Sequence, residues 1–419
     1  MTRRRLGAVL MGLGALLCFS DSIVAAAMSL YWNAHPVDPY SVGGLQEQYA
    51  RWALAFGIAI FGMGIVIRRR DVPLLANLSL TTAALAVVVL GDRILLLALG
   101  LPLWIPDIDS HYRQRPNAVR SWSNGKLIRI NRYGFHDEEF PIAKEQGELR
   151  GVMLGDSVTM GHGLAYEEAF PYQLEQLLRQ STGNRAKVKI INTGVQGYST
   201  YQEANAFERS LRFKPDFAAI GFCMNDVTEP YEVDRRFGGV GLNYHQVLQL
   251  GTKSAMYLVN ETGIGRTILK IQKKPREQVL QAKSAEVATV GYMASHPADD
   301  PKTALGWTSV LQSLGRMQMV ARDNHVGLVL LVFPFTFQLF CKECQRPQSI
   351  LLEYGRQHGL EVIDFTPIFE DLLSGGNAGK DGLPDAARYF LDEDHFTAEG
   401  HRIVAERMLL YVKRRASAP

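Results

Sequence analysis

Cysteine is scarce. Four in 419 residues cannot build a disulfide scaffold, and two bridges are the most that could form. Charge of one sign is also lacking. A formal net charge of +3 gives no footprint for nucleic acid, and no basic run is interleaved with aromatics as a nucleic-acid face requires. There is no internal repeat and no low-complexity tract, so solenoids and disordered arrays are excluded. What the chain has in quantity is apolar residues, 47% of the total, and these are unevenly spread.

Three apolar stretches open the sequence: Leu6 to Trp32, Trp52 to Ile67, and Val72 to Gly91, the last resuming after Asp92 and Arg93 as far as Trp104. Crossing the hydrocarbon core takes roughly 20 helical residues. The first and third stretches reach that length and the second comes close. Three in succession, nearly free of charge and joined by short polar loops, predict transmembrane helices at about 6–28, 52–68 and 73–101. The eleven residues after Arg93 are too few for a fourth crossing. Charges are costly within a span, so Asp92 and Arg93 are expected near an interface or against another helix.

Orientation follows from arginine. Arg3, Arg4 and Arg5 precede the first span, and Arg68, Arg69 and Arg70 separate the second from the third. The loop between the first two spans holds Asp38, Glu47 and only Arg51. Positive-inside counting puts the N-terminus in the cytoplasm and everything after Trp104 outside. Arg113, Arg115 and Arg120 pull the other way, but long domains translocate largely regardless of charge. Read as a cleaved signal peptide ending near "AAAM", the first stretch would leave two crossings and the same location. Leu17 before Cys18 does not suit a lipoprotein site, leaving Cys18 as a membrane-buried thiol. The expectation is a multi-pass protein of the cytoplasmic (inner) membrane whose larger part is extracytoplasmic or periplasmic.

A juxtamembrane lead-in, 105–148, contains the basic, hairpin-like "SWSNGKLIRINRYG". The pattern then changes. Strands "LRGVMLG", "AKVKIIN", "DFAAIGFCM", "VGLVLLVFPF" and "LEVIDF" alternate with helices "EAFPYQLEQLLRQ", "YQEANAFERSLR", "VLQSLGRMQMVARDN" and "QSILLEYGRQHG", with a last helix from about Ala398 to Lys413. Short Val/Ile/Leu runs alternating with helical periods predict a parallel sheet covered on both faces, an α/β domain over 149–419. One segment, Val227 to Lys302, interrupts the alternation. It reads as an insertion that either covers or lengthens a site, or decorates the surface.

Ligands of such sheets bind beyond the C-terminal ends of the strands. Four strand or loop ends carry chemistry here. The first is Gly155-Asp156-Ser157; the second is "NTGVQGYST", with Gly194 and Gly197. The third ends in Asn225-Asp226, and "DEDHFTAEGH" before the last helix holds Asp392 and His395. A serine hydroxyl becomes a nucleophile when a neutral imidazole takes its proton, and a carboxylate fixes that imidazole's tautomer. Asp392, three residues before His395, can do this locally, whereas Asp394, adjacent to the histidine, is not expected to fold back to its ring. The developing oxyanion needs donors in place. The Ser157 amide, a glycine amide and the Asn225 side chain would supply three.

This set resembles the SGNH/GDSL hydrolase family, in which Ser, Gly, Asn and His come from four separate blocks. "INRYGFHDEEFP" is also similar to the lead-in of membrane-linked members. The resemblance, over roughly 149–415, implies a flavodoxin-like three-layer α/β/α sandwich, with Ser157 as nucleophile and His395 as base. It implies Asp392 as the orienting acid, with Gly197 and Asn225 completing the oxyanion hole. Gly197 is preferred to Gly194 because the family's glycine lies late in its block. The third block departs from the family's Gly-x-Asn-Asp, reading Cys223-Met224-Asn225-Asp226. His162 and His401 fit no station and are expected to be solvated or packed. Cys341 and Cys344 have no second ligand pair for zinc and no thioredoxin pattern around them. An external disulfide is expected, a free pair being the alternative.

The resulting expectation is a membrane-anchored, extracytoplasmic serine esterase without cofactor or metal. It would act on acyl esters, acetyl among them, of envelope polysaccharide or lipid. An O-acyltransferase on a polysaccharide and a non-catalytic polysaccharide-assembly protein are the alternatives.

Overall fold

The computed structural model describes residues 5–16, 57–67, 86–89, 91–92, 95, 103–107, 110–183, 185–227, 262–271, 287–301, 303–374 and 386–416. Most of the three apolar stretches, Cys18, Arg93 and most of the Val227–Lys302 insertion therefore lie outside the described residues. Contacts divide the chain into two compact units. The first takes residues 1–117, 132–134 and 252–273; the second takes 118–131, 135–251 and 274–419.

Among the described residues no helix is long and apolar enough to cross a membrane. In the first unit, helical segments 5–16 and 57–67 run antiparallel with their backbones almost touching. A Cβ on Gly14 would sit 2.6 Å from the Phe61 nitrogen, and one on Gly64 would sit 2.8 Å from the Gly7 carbonyl. Leu10, Ile60, Ile67 and Ala86 form a small buried cluster there, while Val9, Ile58 and Val88 are exposed. Asp92 caps the helix Gly263–Ile271, its carboxylate accepting from the Gly263 and Ile264 amides at 3.0 and 2.7 Å. Capping is thus the use this structure gives to a charge set among apolar residues. A hairpin of β1 (Trp104–Asp107) and β2 (His111–Gln114) completes the unit.

The second unit is built on one sheet. Its strands are β5 (Leu149–Gly155), β6 (Val188–Asn192), β7 (Phe217–Phe222), β8 (Gly327–Val332) and β9 (Glu361–Asp364). All pair in parallel, in the order β6-β5-β7-β8-β9, which is the flavodoxin-like 2-1-3-4-5 arrangement. Strands covered on both faces need continuous apolar runs, and every residue of β6 and β7 is buried.

Short α1 (Ser157–Met160) follows β5, and α2 (Phe170–Ser181) returns the chain to β6. Helix α3 (Thr200–Ser210) leads to β7, α4 (Ala304–Asp323) to β8, and α5 (Arg346–His358) to β9. Crossovers are right-handed, so the reversal of direction at β6 puts α2 on one face and α3, α4 and α5 on the other. Helix α6 (Thr366–Ser374) follows β9, and α7 (Ala398–Ala416) packs on α2. The sandwich has three layers.

Within this unit, the stretch 135–148 is fastened to the sheet through buried charge. Lys189, on edge strand β6, meets Asp137 at 3.0 Å, Glu175 at 3.2 Å and Glu138 at 3.3 Å. Burial alone would lower the lysine's pKa, but the carboxylates outweigh it and raise it. Arg150, wholly buried, donates to the carbonyls of Ile142, Phe213 and Pro141 and pairs with Glu148. A second hairpin, β3 (Val119–Ser121) with β4 (Leu127–Arg129), lies between Ala118 and Asn131.

Candidate active site

The turn from β5 into α1 leaves no room for a side chain at its corner. A Cβ on Gly155 would lie 2.0 Å from Thr159 Oγ1 and 3.1 Å from the Gly221 carbonyl. Only glycine lets the strand pass straight into the helix here. Asp156 caps the helix, its Oδ1 accepting from the Val158 amide at 2.8 Å. Ser157 is the first helical residue, where a backbone N–H has no carbonyl partner within the helix.

Across the strand ends, His395 Nε2 stands 2.9 Å from Ser157 Oγ. Its Nδ1 meets Asp392 Oδ1 at 2.9 Å and Oδ2 at 3.0 Å. The three residues expected to act together are together, in a hydrogen-bonded row of serine, imidazole and carboxylate. Asn225 lies in the 3₁₀ turn Met224–Val227 after β7, and its Nδ2 donates to Asp156 Oδ2 at 3.1 Å. One amide hydrogen is thereby fixed, which orients the other. Gly194 and Gly197 both follow β6. The Gly194 amide donates to Asn192 Oδ1 at 3.1 Å, and a Cβ there would lie 2.4 Å from the Met160 nitrogen. Gly197 adopts a left-handed backbone, φ 72°.

One expectation is corrected. Asp394 was excluded as a partner of the base, yet its Oδ1 is 3.3 Å from His395 Nδ1. The cause is local: the Asp394 and His395 amides both donate to Asp392 Oδ1, at 3.2 and 3.0 Å. That curls the loop and turns both carboxylates toward the ring. Burial alone would lower the His395 pKa, but the Asp392 hydrogen bond and the charges of Asp394, Asp392 and Asp156 raise it to about 9. Burial pushes Asp394 up to about 7 against the pull of His395, with Asp392 and Asp156 adding to the rise. For Asp392 burial acts upward, but the hydrogen bond and charge of His395 hold it well below the carboxylate range. Asp156 is raised, chiefly by burial.

Among the described residues, Asp392, Asp394 and His395 also form a group able to hold a metal, their donor atoms within 4.8 Å of one another. The contacts just described already engage those atoms with one another. His401 is packed, as expected: its Nδ1 accepts from the Phe170 amide at 3.1 Å, and burial drives its pKa down to about 3. Cys341 and Cys344 are joined in a disulfide, and Cys223 is a buried free thiol where the family has glycine. His162 is packed too, as expected. It stacks on His395, centroids 4.2 Å apart and planes 26° off parallel. Residue spacing did not reveal that Asp394 faces the base, that Asp156 takes the Asn225 amide, or that His162 stacks on His395. The one available signal was "GHG", two glycines holding a histidine in a turn beside the nucleophile.

The family model of the GDSL-like lipase/acylhydrolases matches residues 153–403, more than half the chain and all four blocks. No curated protein matches. Among solved structures, the chain is similar to a lipase/acylhydrolase from Enterococcus faecalis, with 14% identity, 64% of this chain and 96% of that one covered, and TM-score 0.36. It is similar to LAE5, an alpha/beta hydrolase enzyme from the metagenome of Lake Arreo, Spain (14%, 62% and 94%, TM-score 0.37). It is also similar to a catalytic mutant of Axe2, an acetylxylan esterase from Geobacillus stearothermophilus (13%, 62% and 92%, TM-score 0.36). Likenesses this distant add nothing on substrate. With the family's serine at the end of β5 and its histidine 2.9 Å away, the chain belongs to the GDSL-like lipase/acylhydrolase family.

Proposed function

We propose that this protein is a membrane-anchored serine esterase that cleaves acyl esters, acetyl among them, of cell-envelope polysaccharide or lipid outside the cytoplasm. The observation that carries the chemistry is the 2.9 Å contact from Ser157 Oγ to His395 Nε2, with Asp392 on the opposite nitrogen. Ser157 attacks the ester carbonyl as its proton passes to Nε2, and Asp392 stabilises the imidazolium that results. The amides of Ser157 and Gly197 and the second Nδ2 hydrogen of Asn225 receive the oxyanion. Collapse expels the alcohol, which takes the proton from Nε2. Water, activated by the same nitrogen, then hydrolyses the acyl-enzyme.

The anchor and location rest on different support. The apolar stretches have the length and arginine asymmetry of membrane spans. Segments 5–16 and 57–67 meet through glycines and turn apolar residues outward, as helices in lipid do. The Cys341–Cys344 disulfide suits an oxidising compartment. The test is a panel of p-nitrophenyl esters of increasing acyl length given to the full-length protein in detergent. Turnover that disappears in Ser157→Ala supports the reading. An unchanged Ser157→Ala rate, or no turnover on any ester, overturns it.

A further inference from the structure

We propose that His162 is a positioning residue for the base: stacked on His395, it holds the imidazole in the one plane that joins Asp392 to Ser157. The inference rests on the hydrolytic reading of that pair. Both hydrogen bonds of His395 lie along its ring edge, one from each nitrogen. Rotation of the ring about its bond to the chain would break both at once. The structure opposes that rotation by laying the His162 ring over it, 4.2 Å away.

His162 is itself held from several sides. Its amide donates to the Ser157 carbonyl at 3.0 Å, tying it to the nucleophile's own turn. Gly161 and Gly163 flank it with left-handed backbones, φ 85° and 79°, conformations that side chains rarely adopt. The β3–β4 hairpin then clamps the far side of the turn. Asn124 Nδ2 donates to the Gly163 carbonyl at 2.7 Å, and Trp122 Nε1 to the Leu164 carbonyl at 2.8 Å. The Trp122 ring rests on His162, centroids 4.4 Å apart, and Lys126 pairs with Glu168 at 2.7 Å. Three rings thus run from the hairpin to the base. The hairpin's place in the lead-in has a purpose under this reading, because it sets the wall against which the imidazole works.

The contact also favours the reacting state. In its reactive, neutral form His395 becomes cationic as it takes the serine proton, and a cation is attracted to the face of a flat π system. An interaction that strengthens in the transition state raises kcat and leaves KM nearly unchanged. Phenylalanine keeps the flat face; leucine keeps bulk without it.

The test compares wild type, His162→Leu, His162→Phe and Ser157→Ala as full-length proteins in detergent. Read-outs are kcat and KM on p-nitrophenyl acetate, the rate of labelling by a fluorophosphonate, and melting temperature. His162→Leu is expected to lower kcat and the labelling rate roughly 10- to 100-fold, with KM within about twofold of wild type. His162→Phe is expected to recover to within about threefold. Wild-type kcat in His162→Leu, or His162→Phe no better than His162→Leu, overturns the role. If His162→Leu loses its melting transition, Trp122→Leu replaces it, with the same kcat loss expected and wild-type kcat overturning the proposal. Wild-type turnover in Ser157→Ala would overturn the hydrolytic reading and the inference with it. An inactive Ser157→Ala beside a normal His162→Leu overturns the inference alone.

Discussion

Replacing Asp394 with asparagine removes one of the two carboxylates facing Nδ1 of His395 and keeps the shape of the side chain. At 3.3 Å, a full charge acting through an effective dielectric of about 20 would favour the imidazolium by on the order of 5 kcal/mol. Asp394 itself is pushed up to about 7, so it is almost fully ionised where His395, raised to about 9, titrates. Cutting that figure roughly three- to fourfold for screening by solvent and the neighbouring charges leaves about 1–2 kcal/mol, or roughly one pKa unit. The sign follows from which form works. His395 serves as base only when neutral, and the carboxylates that raise its pKa to about 9 delay that form. Activity in wild type therefore climbs with pH along a limb above 6.5, the histidine's ordinary value. In Asp394→Asn the limb moves down by about one unit, so the variant sits nearer its own plateau at neutral pH. The assay is kcat/KM on p-nitrophenyl acetate from about pH 5 to pH 10, corrected for spontaneous hydrolysis. A limb that stays in place or moves up would refute the assignment of Asp394 to the base.

Three further outcomes follow from named contacts. Asp392→Asn should cost about 10²-fold in kcat, less than loss of the nucleophile, because Asp394 remains beside the same nitrogen; Asp392→Asn with Asp394→Asn should lose at least another tenfold. Equal rates in the single and double variants would contradict the shared role. Lys189→Ala strands the Asp137 and Glu175 carboxylates in the interior and should destabilise the sheet domain by about 3–5 kcal/mol, read by chemical or thermal denaturation. Wild-type stability would mean that the stretch 135–148 is not fastened there. An alkaline-phosphatase reporter fused at the C-terminus should be active, and a fluorescent protein that folds only in the cytoplasm should be dark. The reverse pattern places Ser157 in the cytoplasm and removes the envelope substrate.

The sheet was legible because a parallel strand buried on both faces must be apolar throughout. "LRGVMLG" and "VGLVLLVFPF" therefore mark their own positions and, with them, the strand ends that carry chemistry. Asp392 and His395 were legible because their hydrogen bond is local. Asp394 was not, since its approach depends on both following amides turning onto Asp392 Oδ1, which residue spacing does not encode. His162 was hidden for another reason: its partner is His395, far along the chain, and only the fold brings the two rings together. The β1–β2 hairpin and α6 escaped because four- and nine-residue elements show too little periodicity to register. The third strand ends sooner than its apolar run suggests, as the Cys223 amide turns away to Asp226 Oδ2 at 3.3 Å.

The central claim is that His395 makes Ser157 a nucleophile. Its most direct test is to expose the full-length protein to a fluorophosphonate and locate the adduct by peptide mass spectrometry. The account predicts one phosphonylated residue, Ser157, with labelling slowed by several orders of magnitude in His395→Ala. An unlabelled Ser157 in folded wild-type protein, or equal labelling with and without His395, would contradict it.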